Sequence, residues 1–235
     1  MLPIRDTIQS KTPPIVTVGL IVVNSLVFFF QLSLGYKLND FLAVFGLVPT
    51  RFIHLLEKGQ ILAGILPFFT CMFLHGGWLH IIGNMWYLWI FGDNVEDRVG
   101  HAKFFIFYIL CGFLSGLTHT LMNPHSGVPT VGASGAIAGV MGAYIVLYPR
   151  AKIWTLIPIF FFVQFIEIPA FVFLGFWIIM QFVIGAFSHN MGPLQGGVAW
   201  WAHVGGFAAG AILVLVFKKR EKYMPKRYAD EYRPW

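Results

Sequence analysis

Long apolar runs, separated by short stretches carrying charge, glycine or proline, set the pattern of this chain. A helix crossing the hydrocarbon layer needs about 20 mostly apolar residues, or somewhat fewer where neighbours shield its ends. Six stretches meet that need: 15–34, 80–95, 102–122, 134–148, 168–187 and 198–217. Two further apolar stretches, 41–49 and 61–69, are too short to span, and glycine, proline and flanking charges interrupt them. They predict a long folded loop in the membrane interface. Segment 153–166 is also short and contains Pro158, so it predicts an interfacial hairpin or helix ahead of the fifth span. The expected fold is an all-α membrane protein: a six-transmembrane-helix bundle with a long interfacial loop between the first and second spans.

Composition agrees with that pattern. Of 235 residues, 57% are hydrophobic and 11% charged, and the mean hydropathy is +0.73, whereas soluble domains carry about 25% charged residues. No low-complexity linker or internal repeat divides the chain, so one bilayer domain is expected over 15–217, preceded by a cytoplasmic segment 1–14 and followed by a basic cytoplasmic tail 218–235. The run 15–34 is too long for a signal-peptide core and is expected to remain as an anchor. Cys71 and Cys111 lack metal-ligand spacing and are expected to be buried thiols. Orientation follows from Lys and Arg. With the N-terminus inside, Lys37, Arg51 and Lys58 fall outside and the other 13 of the 16 basic residues fall inside. Both termini are therefore expected on the cytoplasmic side, in the plasma membrane of a prokaryote. The net charge of +6 comes largely from the tail, which beside a span reads as a topology signal facing anionic lipid and not as a nucleic-acid site.

Polar groups inside the spans carry the candidate chemistry. At about 1.5 Å per residue, Ser134 lies about 24 Å above Arg150, and His203 about 22 Å above Lys218. They share a depth below the outer surface, where water needs a cavity open to that side. The non-helical stretch 124–129, PHSGVP, is tolerable there only if protein or water satisfies its backbone. Alone, a serine in a span usually bonds neighbouring backbone, and Gly135 with Gly139 forms a small-xxx-small packing face in any case. An intramembrane histidine is a functional candidate by default. Gly206 and Gly210 follow His203 as a second such face. Two helices meeting through these glycines can bring a hydroxyl to an imidazole, the arrangement of a nucleophile and its general base. His80 and Asn84 share one face at the outer end of the second span; in place of simple interhelical hydrogen bonding, they can donate to a developing oxyanion together with the Ser134 N–H. Zinc at His75 and His80 has no HExxH or nearby carboxylate to support it. Asp93 and Glu167 sit near span ends and do not form an acid pair at depth.

Taken in order, HGGWLHIIGN opening the second span, GASG opening the fourth and HVGGFAAG in the sixth resemble the rhomboid family of intramembrane serine proteases, over roughly 15–217. The resemblance implies Ser134 as nucleophile, His203 as base, His80 and Asn84 in the oxyanion hole, and Gly206 and Gly210 packing the sixth span on the fourth. It implies a structural role for His75. Substrates would be transmembrane segments of other proteins, cut near the outer membrane face without metal, nucleotide or other cofactor. Two positions depart from the family pattern. Leu66-Pro67 stands where a Trp-Arg pair often anchors the first outer loop. Ala138 stands where an aromatic often supports the histidine, which leaves that support to a residue such as Trp200 or Trp201. The fifth span, rich in phenylalanine and poor in small residues, is expected to be the loosest wall and the substrate gate, through Phe171, Phe173 and Trp177. A rhomboid-like pseudoprotease that binds such segments without cutting them is the alternative; the presence of both Ser134 and His203 argues against it. A transporter would show an inverted repeat or a polar path, and neither is visible.

Overall fold

Helix α1 (Ile15–Ser33) turns its amides and Thr17 inward and most of its large apolar side chains outward. Its buried positions are Thr17, Leu20, Asn24, Phe28 and Gln31, three or four residues apart, while Val22, Val23, Leu26, Phe29 and Phe30 face outward. That distribution is stable only where the surrounding solvent is itself hydrocarbon. The computed structural model describes residues 1–159, 162–188 and 198–219; the basic tail expected beyond Lys219 lies outside them.

The loop after α1 folds into three short helices, α2 (Leu38–Phe45), α3 (Pro49–Glu57) and α4 (Ile61–Thr70). Long helices α5 (Trp78–Val99) and α6 (His101–Met122) follow, joined at Gly100, whose φ of 92° belongs to the left-handed region that favours glycine. Then come α7 (Ser134–Leu147), α8 (Ala170–Ser188) and α9 (Trp200–Phe217). Four helices, α1, α6, α8 and α9, are long and apolar enough to cross a membrane, and the segment 61–73 with α5, bent by 83°, brings the number to five. Helix α7 has only 14 residues, about 21 Å of rise. Every residue from Gly135 to Tyr144 is buried by its neighbours, so little of it meets the surroundings.

The chain is mostly helical, but not all-α. Strands β1 (Leu2–Asp6), β2 (Lys152–Ile159) and β3 (Phe162–Pro169) form an antiparallel sheet in the order β1-β2-β3. Segment 153–166 is thus the hairpin of the two expected alternatives. Its period of two explains why: Ile153 and Thr155 are fully buried on one face, while Val163 and Phe165 lie exposed on the other. Pro158 also removes a donor that a helix would need. The N-terminal strand was not foreseeable, because five residues with a proline carry no readable period. Pairing with β2 recruits it, and Trp86 Nε1 of α5 donates to the Pro3 carbonyl at 2.7 Å. At its other end Asp6 accepts from Asn94 Nδ2 at 2.9 Å and from the Tyr144 hydroxyl.

Helices α7 and α9 meet backbone to backbone. A Cβ on Gly206 would overlap the Gly135 carbonyl, and one on Gly210 would overlap the Gly139 carbonyl. The loop after α1 is anchored without a Trp-Arg pair. Arg51 donates to the carbonyls of Ala43 and Gly46, Leu47 and Thr130 exchange backbone hydrogen bonds of 3.0 and 2.8 Å, and Thr70 Oγ1 donates to Phe45 at 2.6 Å. The Gln31 amide closes on the backbone of His75 with two bonds of 3.0 Å. At the opposite end of α5, the buried Glu96 carboxylate accepts from the N–H groups of Val16 and Thr17 at 2.9 and 2.8 Å. It thereby neutralises the positive end of the α1 dipole.

Candidate active site

Ser134 is the first residue of α7, where backbone N–H groups have no acceptor within the helix. The turn ahead of it depends on Gly132, with φ of 129°. A Cβ there would also lie 2.6 Å from His80 Nε2, so glycine allows that imidazole to close on the backbone two residues before the serine. The Gly132 N–H is tied to the Cys71 carbonyl at 2.9 Å. Across the helix pair, the glycine contacts hold α9 so that His203 Nε2 stands 2.8 Å from Ser134 Oγ. On its far side His203 Nδ1 is 2.7 Å from Gln181 Oε1 of α8. His203 is buried and Ser134 half-buried.

His80 and Asn84 lie one turn apart on α5 and both border Gly132. The Asn84 Nδ2 is buried with no hydrogen-bond acceptor among the described residues. On His80, Nδ1 lies 3.4 Å from the Gly76 N–H; a ring accepting there carries its proton on Nε2, the nitrogen facing Gly132. Two donors therefore point toward the start of α7. His75 packs edge-on to His80, with ring centroids 5.2 Å apart, and also against Phe28. Among the described residues no third metal-ligating side chain joins them.

Ser134, His203, His80 and Asn84 line one cavity of about 1990 Å³, bounded also by the stretch 124–129 and by the ends of α8 and α9. His119 of α6 pins that stretch through Thr130 Oγ1 at 3.0 Å. On α7 the lining runs from Ser134 to Met141, about 10 Å along the axis. Below, Ala143 and Tyr144 are fully buried among Phe91, Phe107 and Val214.

Residues 63–220, well over half of the chain, match the family model described as Rhomboid domain. The chain belongs to the rhomboid family. RHOMBOID-like protein 1 of Arabidopsis thaliana is 33% identical over 155 residues, covering 66% of this chain and 35% of its own length. Rhomboid protein 1, mitochondrial, of Saccharomyces cerevisiae is 30% identical over 181 residues, 72% of this chain and 49% of its own length. Rhomboid protease GluP of Bacillus subtilis is 30% identical over 140 residues, 58% of this chain and 26% of its own length. This rhomboid thus spans between about a quarter and half of these relatives. Their names include a mitochondrial protein and a bacterial one, so the likeness supports an integral membrane protein and does not single out a prokaryotic plasma membrane.

Against the rhomboid pattern, Ala138 leaves His203 without an aromatic from α7, and α8 supplies it. The Trp177 ring lies 5.6 Å from His203, tilted by 33°, with Phe207 behind it at 6.2 Å. Trp200 meets the imidazole edge-on at 6.4 Å, whereas Trp201 packs on Phe182. The three residues expected to form a gate lie in different surroundings. Phe171 is exposed, Phe173 is buried in the core, and Trp177 is a wall of the histidine. Gln181 was missed by sequence reasoning although its signal was present: it is the one amide in an otherwise apolar helix. Cys71 and Cys111 are free and buried.

Proposed function

We propose that this chain is an intramembrane serine endopeptidase that cuts transmembrane segments of other proteins near the outer face of the membrane. The observation that carries the proposal is the 2.8 Å contact of Ser134 Oγ with His203 Nε2, at the border of a cavity large enough for water and an extended peptide. In this reading α5 and α7 cross with the other long helices as six spans, both termini are cytoplasmic, and lipid surrounds the bundle.

Ser134 Oγ attacks the scissile carbonyl carbon as its proton passes to His203 Nε2. The carbonyl oxygen becomes an oxyanion, stabilised by Asn84 Nδ2, His80 Nε2–H and the Ser134 N–H. Collapse expels the amine, which takes the proton from His203 and leaves an acyl-enzyme. Water from the cavity then repeats the sequence, with His203 as base, and releases the acid. Neither metal nor cofactor enters any step. Helix α8 rests mainly on α9, which supports it as the wall that yields to admit substrate from the lipid.

The test is incubation of the purified protein with a panel of single-span proteins, the cut being located by mass spectrometry, beside fluorophosphonate labelling. Cleavage and labelling are expected in the wild type and absent in Ser134→Ala, with cleavage also lost in His203→Ala. A folded wild type that neither cuts nor labels would be a pseudoprotease that only binds such segments.

A further inference from the structure

We infer that Gln181 is a positioning residue for His203, so that the base is set in its working state only while α8 is seated against α9. The inference rests on the serine-protease reading of Ser134 and His203. Helix α8 reads AFVFLGFWIIMQFVIGAFS, and Gln181 is its one amide. An amide removed from water is unfavourable unless it finds a partner, and this one is 8% exposed with its oxygen 2.7 Å from His203 Nδ1.

The chemistry of that contact selects one tautomer. An amide oxygen only accepts, so Nδ1 must donate; a neutral ring then has its lone pair on Nε2, 2.8 Å from the Ser134 hydroxyl. The other tautomer would set two lone pairs against each other at Gln181 and leave Nε2 unable to take the serine proton. Trp177, four residues before Gln181, lies on the same face of α8. It packs along the imidazole at 5.6 Å, and so limits the tilt of the ring while Gln181 limits its rotation in the plane. With Ala138 on α7 offering only a methyl group, both restraints come from the single helix that leans chiefly on α9. Displacing α8 to admit substrate releases the imidazole, and reseating it restores the dyad. The enzyme is thereby least reactive when its cavity is most open to lipid.

The test uses the 235-residue chain in detergent and a small fluorophosphonate, which reports on Ser134 without needing a gate or a transmembrane substrate. Gln181→Met keeps the length of the side chain but removes the acceptor. Gln181→Glu keeps an oxygen acceptor at the same place. Losing one neutral hydrogen bond corresponds to about a threefold to tenfold change. Gln181→Met is therefore expected to slow labelling of Ser134 and to lower kcat by about that factor with KM little changed, while Gln181→Glu restores most of the labelling rate. Thermal unfolding checks that each variant is folded, with Gln181→Leu as the substitute should the Met variant not be. Labelling of a folded Met or Leu variant at the wild-type rate overturns the inference, as does a Glu variant no faster than Met. Failure of the wild type itself to label removes the serine-protease reading instead.

Discussion

Asn84 is the residue whose role is most open to a direct test. Its Nδ2 is buried and without an acceptor among the described residues, a condition that is unfavourable in a resting protein and useful where negative charge will appear. Removing one oxyanion donor typically lowers turnover by about 10²–10³. Asn84→Ala is expected to fall by that factor in kcat, with Ser134 still labelled; cleavage at the wild-type rate would remove Asn84 from the site. At this scale the sequence was readable wherever a polar residue interrupts an apolar run. Ser134, His203, His80 and Asn84 each stand out in that way, and depth counting puts the first two on one level. By the same rule Gln181 and Gln31 were legible and went unused, since an amide has no ionisable group to attract notice. Trp177 was not legible: in a helix apolar on every side, composition does not say which ring faces a histidine and which faces lipid.

Among the elements, the α7–α9 pair has no slack, because its glycines bring carbonyls where side chains would stand. Gly206→Ala must part the helices, at about 1–3 kcal/mol of overpacking, and draw His203 away from Ser134. The expected result is a lower melting temperature together with slower fluorophosphonate labelling. Gly19→Ala is the control, since a Cβ at Gly19 on α1 meets nothing within 4 Å; it should be neutral or raise stability. The small-xxx-small pattern made this pairing legible. The sheet was only half legible, because the hairpin has a period and β1 has none.

Strand β1 carries its own test. Burial, partly offset by the Tyr144 hydrogen bond, raises the Asp6 carboxyl from 3.8 to about 6. The folded state therefore binds more protons than the unfolded one between these values. Its contribution to stability is full below 3.8 and is lost as pH rises through 6. In Asp6→Asn that loss disappears while other groups titrate as before. The melting temperature of the wild type minus that of the variant should fall between pH 4 and pH 7, and a difference independent of pH would show that the carboxyl is not buried on the bundle.

Over the whole molecule, the reversed distribution of polar and apolar surface follows from composition, and the number of crossing helices is harder to read. The short α7 is admitted because its neighbours bury it, and the 83° bend before α5 divides one apolar stretch where His75, Gly76 and Gly77 leave the helix. Length and hydropathy describe helices facing lipid; they say little about one enclosed by protein. That enclosure has an electrical side. The cavity reaches Ser134 and extends along α7 as far as Met141, and beyond it Ala143 and Tyr144 are fully buried by aromatic and aliphatic neighbours. A bore that continued would short-circuit the membrane and dissipate any ion gradient it holds. Under the proposed function, stopping halfway lets hydrolysis take place inside an insulator whose resistance is kept by buried residues such as Tyr144 and Phe91.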